Sequence, residues 1–318
     1  MIKRRKVVII GDGAVGSTCA FVLATGHTVN DIVIVDINID KVEGDVMDIE
    51  DGMSFVSVPK ELKAGSYEDC IDAQIIIITA GAAQKEGETR IDLLKKNASI
   101  IKSICEQIKP NLDPHTLVMV VSNPCDILTY IVQNELGLPY NQVFGSGTVL
   151  DTSRLKNVIS SRLGLDPRNV HTYIVGEHGD SEIPVWSLTS VGGLSIVDYC
   201  EENHQLGSKD LNEMFKKVKN AAYEIIKKKG ATNYAVALAV NRIVAAILND
   251  ENSILTVSAY IESEFGGMLE DVYLSLPCIV NLSGVKEIIK PRYTRQEQMG
   301  IISSGLELIE KRKEVYNK

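Results

Sequence analysis

Residues 6–36 read KVVIIGDGAVGSTCAFVLATGHTVNDIVIVD, a pattern of strand, glycine-rich turn, helix and strand. Two Ile/Val-rich runs, 6–10 and 32–36, bracket a segment that opens with glycines and continues with helical spacing. A short, continuously apolar, β-branched run marks a strand buried on both faces, as in parallel sheets covered by helices. Gly11-Asp12-Gly13-Ala14-Val15-Gly16 fits G-x-G-x-x-G between strand and helix, the context in which this pattern signifies dinucleotide binding. Gly11 allows the tight turn, Gly13 lets a pyrophosphate approach the backbone, and Gly16 permits close packing of helix on strand. The amides at the helix N-terminus then face the phosphates. Asp36 closes the second strand, 20 residues beyond Gly16. A carboxylate there accepts hydrogen bonds from the adenosine ribose and repels a 2′-phosphate, which favours NAD over NADP.

The same alternation continues outward. Residues 74–79 and 116–121 repeat the strand texture, and 38–51, 90–109 and 124–136 have helical spacing. Strands alternating with helices predict an α/β domain, a Rossmann-type doubly wound parallel sheet of at least four strands over residues 1–150. From 151 to 318 the texture changes: a helix at 152–163, a strand at 170–175, and helices at 208–229 and 231–248. Two alternating runs at 253–261 and 270–282 and a terminal helix at 294–316 follow, an α+β substrate domain fused closely to the first. The charged end of that helix, 310–314, reads as a solvated face.

The chain has 318 residues and a net charge of −9, the wrong sign for a surface that neutralises nucleic acid or anionic lipid. The basic start is followed by an apolar run too short for a signal peptide, and Asn241 and Arg242 interrupt the most apolar helix well short of a membrane span. Six cysteines without a C-x-x-C indicate neither a disulfide scaffold nor a zinc site, and no metal is expected. A reducing cytoplasm fits this usage.

Three further segments carry chemistry. Gly81–Arg90 (GAAQKEGETR) follows the third strand, where open α/β sheets bind ligands; it is either a closing lid or a solvated loop. Ser122-Asn123-Pro124 ends the fourth strand and brings the Asn123 amide to the same crevice, unless it is a simple helix cap. Asp151 and Arg154 share one side of a first helical turn, as functional partners or as a local ion pair. Most distinctive is Gly176-Glu177-His178-Gly179-Asp180, a histidine presented on a turn after an apolar strand and suited to general acid–base work.

Together these residues resemble the lactate/malate dehydrogenase superfamily along almost the whole chain, and within it most closely the bacterial NAD-dependent L-lactate dehydrogenases. The resemblance implies hydride transfer between NADH and pyruvate, with His178 (GEHGD) as proton donor and acceptor and Asp151 (LDTSR) as its carboxylate partner. Arg154 then clamps the substrate carboxylate, Arg90 (GETR) polarises the carbonyl, Asn123 contacts substrate and nicotinamide, and Gln84 and Thr232 shape the pocket. It places Val15, Lys41, Tyr67, Gly81, Ala82, Ser122 and Ser146 beside Gly11, Gly13, Gly16 and Asp36 at the cofactor. It also implies a cytoplasmic homotetramer of glycolysis and fermentation, and an allosteric site for fructose 1,6-bisphosphate at Lys156 and His171. The chain departs from the family pattern at Cys125 (Val expected), Asn233 (an aromatic expected) and Lys156 (Arg in regulated members).

Two alternatives bear on function. A malate or other 2-hydroxy acid dehydrogenase is the nearer, but the malate branch carries an arginine where Gln84 stands here. The other is a non-catalytic NAD-binding or structural protein of the same fold, against which the joint presence of His178, Asp151, Arg90 and Arg154 argues.

Overall fold

The Ile/Val runs alternate their side chains between two faces, and both faces are covered. Val7, Ile9, Ile32, Ile34, Ile75 and Ile77 belong to one core, while Val8, Ile10, Val33, Val35, Ile76 and Ile78 belong to a second on the opposite side. A computed structural model describes residues 5–82, 87, 89–203 and 207–316. Gln84, the side chain of Arg90 and His204 lie outside the described residues.

Six parallel strands, β1 (Lys6–Ile10), β2 (Asp31–Val35), β3 (Glu61–Ala64), β4 (Ile75–Ile78), β5 (Leu117–Val120) and β6 (Val143–Gly145), lie in the order β3-β2-β1-β4-β5-β6. Helices α1 (Ala14–Thr25), α2 (Ile39–Asp51), α3 (Arg90–Ile108) and α4 (Cys125–Leu136) connect them. The strand order reverses beside β1, so a crevice opens between the ends of β1 and β4, the usual ligand position in such sheets. Sequence reading anticipates four of these strands. The missed β3 reads ELKA, with two charged residues, and β6 is only VFG, so neither shows as an apolar run.

The second half begins with α5 (Val149–Leu163), so a division at 150/151 falls in that helix's first turn. The expected strand at 170–175 is instead two two-residue strands, Val170–His171 and Ile174–Val175, in separate small sheets. Helices α6 (Ile196–Asn203), α7 (Ser208–Lys229) and α8 (Tyr234–Leu248) follow. Strands β7 (Ser253–Ile261), β8 (Val272–Asn281) and β9 (Gly284–Ile288) then add an antiparallel edge to β6, making one nine-stranded sheet across both halves. The terminal helix is α9 (Arg295–Tyr316). Its charged end is not wholly solvated, as sequence reading expects: Lys311 reaches Glu177 at 2.8 Å and Arg312 reaches Asp271 at 3.1 Å.

Candidate active site

Strand register builds the crevice. Ile10 aligns with Val35 and Ile78, and Ile78 with Val120, so the residues after each strand end stand side by side at one edge. Gly11 takes φ +106°, and a Cβ there would lie 2.4 Å from the Ala80 nitrogen; one on Gly16 would lie 1.8 Å from the Gly11 carbonyl oxygen. A Cβ on Gly13 would meet nothing within 4 Å. Two glycines therefore close the turn, and the third leaves its backbone open on the crevice side. The first turn of α1 has no side-chain cap and no acidic residue, so its N–H groups and helix dipole remain for an anion.

Asp36 accepts the Asp12 N–H at 2.6 Å and the Asn38 N–H at 3.0 Å, which fixes its carboxylate at the end of β2. Lys41 lies between Asp12 (2.8 Å) and Asp45 (2.6 Å), and Tyr67 is close enough to Asp36 for that charge to add to burial in raising its phenol. Burial raises Asp12 as well, against the opposing pull of Lys41. Across the crevice, Asn97 Oδ1 accepts the Ala82 N–H at 2.8 Å and Asn97 Nδ2 donates to the Asn123 carbonyl at 2.9 Å. This buried amide of α3 joins the Gly81-Ala82 segment to Ser122-Asn123; sequence reading misses it because a lone Asn inside a helix carries no signal. The Ser122 hydroxyl donates to the Ala80 carbonyl at 2.6 Å, and Ser146 Oγ lies 3.9 Å from Cys125 Sγ. Asn123 is exposed, three residues past the end of β5.

The His178, Asp151 and Arg154 constellation sits on α5 and the turn after Ile174–Val175. His178 Nδ1 lies 2.6 Å from Asp151 Oδ2, and Arg154 Nη1 lies 2.6 Å from Asp151 Oδ1. The i, i+3 pair of the sequence is thus neither a surface ion pair nor independent of the histidine. Asp151 is 4% exposed at its side chain, Arg154 13% and His178 24%, so the ring is the most open of the three. Burial opposes ionisation of Asp151, but His178 and Arg154 outweigh it and hold the carboxyl below the usual range. Burial likewise opposes the imidazolium; Asp151, then Asp126 and Glu182, overrides it and raises His178 to about 9. Arg154 has no acceptor for its remaining N–H groups among the described residues, a free edge suited to a bidentate carboxylate.

Two buried carboxyls beside the dyad escape sequence reading. Asp126 accepts the His178 N–H at 2.8 Å and the Ser258 hydroxyl at 2.5 Å, and burial pushes it up to about 6 against those hydrogen bonds. Its signal was the single charge in the apolar run CDILTYIV. Glu182, pushed up to about 8 by burial and then by Asp151, has no partner for Oε1 among the described residues. Thr232 is half-buried just before α8, and Asn233 Nδ2 donates to Thr18 Oγ1 at 2.8 Å. Asn233 thus ties α8 to α1, and Cys125 packs inward against Gly145, so neither departure removes a polar group from the crevice. Lys156 and His171 stand apart: Lys156 lines a cavity of about 320 Å³ with Arg242, and His171 is exposed. No cluster of metal-ligating side chains occurs among the described residues.

The chain matches the family models for the lactate/malate dehydrogenase NAD binding domain over residues 5–145 and the alpha/beta C-terminal domain over residues 148–318. It is 50% identical over 311 residues to L-lactate dehydrogenase 1 of Clostridium acetobutylicum, covering 98% of each chain. It is also 50% identical over 303 residues to an L-lactate dehydrogenase of Acetivibrio thermocellus, covering 95% of this chain and 94% of that one. The crystal structure of the minor L-lactate dehydrogenase of Enterococcus mundtii in its ligand-bound form superposes with a TM-score of 0.95 at 44% identity, over 99% of this chain and 100% of that one. With matching models over both halves, the chain belongs to the lactate/malate dehydrogenase family.

Proposed function

We propose that the protein is an NAD-dependent L-lactate dehydrogenase that interconverts pyruvate and (S)-lactate. The observation that carries this reading is the His178–Asp151–Arg154 chain, joined by two contacts of 2.6 Å at the open end of a nucleotide-binding sheet. Gly11, Gly13, Gly16 and the α1 amides would hold the pyrophosphate, and Asp36 the adenosine ribose, with Val15, Lys41, Tyr67, Gly81, Ala82, Ser122, Asn123 and Ser146 around them. The open backbone at Gly13 fits that use. When bound, NADH supplies the hydride.

The chain's own groups do the rest. Arg154 receives the substrate carboxylate on its unengaged edge, a planar match that lysine lacks. Imidazolium at His178 donates a proton to the substrate oxygen, and Asp151 stabilises that cation and fixes the ring's orientation. Arg90, at the start of α3, completes the positive surroundings of the oxygen, while Gln84, Asn123 and Thr232 bound the pocket. Within this scheme residues 1–150 bind the nucleotide and 151–318 the substrate.

Finer properties follow from the same reading. Exposed Phe21 on α1 and Tyr234 and Leu238 on α8 support assembly into a homotetramer. No helix among the described residues is long and apolar enough to cross a membrane, which agrees with a cytoplasmic place in glycolysis and fermentation. Lys156, whose ammonium is lowered by burial and by Arg242, and His171 are assigned to fructose 1,6-bisphosphate across a subunit interface. The decisive experiment is a panel of 2-keto acids with NADH. Pyruvate is expected to have the highest kcat/KM; preference for oxaloacetate would assign the chain to malate, and no turnover at all would make it a binding protein.

A further inference from the structure

The histidine stands on a turn that is held by its main chain from two helices. On the α4 side, Asp126 Oδ2 accepts the His178 N–H at 2.8 Å while Oδ1 accepts the Ser258 hydroxyl at 2.5 Å. On the α9 side, Ser304 Oγ accepts the neighbouring Glu177 N–H at 2.8 Å and lies 2.8 Å from Ser181 Oγ. Ser181 in turn donates to Glu177 Oε2 at 2.6 Å, and Lys311 of α9 closes on Glu177 Oε1 at 2.8 Å. Gly176 pairs through its backbone with Ser275 of β8. Asp126 is 2% exposed and Ser304 1%. Asp126 has no cationic side chain in salt-bridge contact among the described residues, so its charge is not explained by ion pairing, and burying a carboxylate this way is costly.

We propose that Asp126 and Ser304 are positioning residues that clamp the His178 turn between α4 and α9 and so set the reach of the imidazole toward the substrate oxygen. The inference rests on the assigned dehydrogenase chemistry. The Asp151 contact fixes the ring at Nδ1 only, and a shift of the backbone would swing Nε2 about that point. Proton transfer needs a donor–acceptor separation of about 2.6–3.2 Å. A misplacement of about 1 Å costs on the order of a hundredfold in rate.

The charge of Asp126 has a second, separable effect. Around His178 the described charged groups are Asp151 and Arg154 from α5, Asp126 from α4, Glu182 and Glu177 on its own segment, Lys311 from α9, and Lys219 from α7 facing Glu182. Asp126→Asn keeps an acceptor for the His178 N–H but removes the negative charge beside the imidazolium. Ser304→Ala removes an acceptor and no charge.

The test compares Asp126→Ala, Asp126→Asn and Ser304→Ala in the full chain, with kcat and KM for pyruvate, NADH affinity, melting temperature and pH profiles. Asp126→Ala and Ser304→Ala are expected to lose at least about tenfold in kcat, with NADH affinity unchanged. Asp126→Asn should restore kcat to within about threefold of wild type, yet move the alkaline limb of pyruvate reduction to lower pH. Should Asp126→Ala fail to fold, the other two variants carry the test. NMR titration of His178 reads the charge of Asp126 without turnover: it should titrate lower in Asp126→Asn and be unmoved in Ser304→Ala. Wild-type kcat in Ser304→Ala, or an unmoved His178 titration in Asp126→Asn, overturns the proposal. Wild-type protein that does not turn over pyruvate overturns instead the functional reading beneath it.

Discussion

His178 has its proton affinity set by its neighbours, and the sign of the resulting pH dependence follows. Burial favours the neutral ring, but Asp151 raises it to about 9, so the protonated form dominates through neutrality. Pyruvate reduction needs that form and is expected to keep a flat kcat/KM up to about pH 9, then fall tenfold per unit. Lactate oxidation needs the neutral ring and should rise about tenfold per unit up to about pH 9, then level off. Initial rates in both directions check this; a reduction limb near the ordinary histidine value of about 6.5 would mean that Asp151 does not govern the ring. Gln84 is assigned to specificity. Gln84→Arg should move preference from pyruvate toward oxaloacetate, because a cation beside the pyruvate methyl has no partner whereas oxaloacetate brings a carboxylate. Each tenfold change in the ratio of kcat/KM values corresponds to about 1.4 kcal/mol, and an unchanged ratio removes Gln84 from that role.

The first βαβ unit, β1-α1-β2, works because its glycines admit contacts that no side chain would. Gly16→Ala places a Cβ 1.8 Å from the Gly11 carbonyl oxygen, a backbone atom that cannot step aside. It should destabilise the fold by about 2 kcal/mol or more, seen as a lower midpoint in urea at unchanged slope. Gly13→Ala meets no atom of the protein and should leave that midpoint nearly alone while weakening NADH binding. This unit was legible from its sequence because apolar runs, glycines and Asp36 all specify the same local geometry. The histidine's turn was legible too, since glycines flank His178, but its pairing with Asp151, 27 residues away, came from the family resemblance and not from local pattern. What holds that turn was not: Asp126 meets Ser258 across 132 residues and Ser304 meets Glu177 across 127, and only the assembled fold brings them together. Short strands such as β3 escaped for a related reason, because their stability comes from pairing with β2 and not from their own composition.

At the scale of the whole molecule, one sheet extends from the nucleotide edge through β6 into the antiparallel strands of the second half, so the two halves share a core. In the proposed homotetramer, regulation at Lys156 and His171 would act between subunits, through two-fold contacts that bias assembly. Fructose 1,6-bisphosphate is expected to lower the pyruvate concentration at half-saturation and to favour tetramers in sedimentation, with His171→Gln removing both effects; identical saturation curves with and without it would dismiss the site. The proposed reaction has a protonated His178, oriented by Asp151, donate to pyruvate while the nucleotide is held elsewhere by the glycine-rich turn. Its most direct test is His178→Asn, assayed for pyruvate reduction beside a fluorescence titration of NADH. The expected result is NADH affinity close to wild type with kcat reduced by about a hundredfold or more. Turnover within tenfold of wild type at unchanged NADH affinity would contradict it.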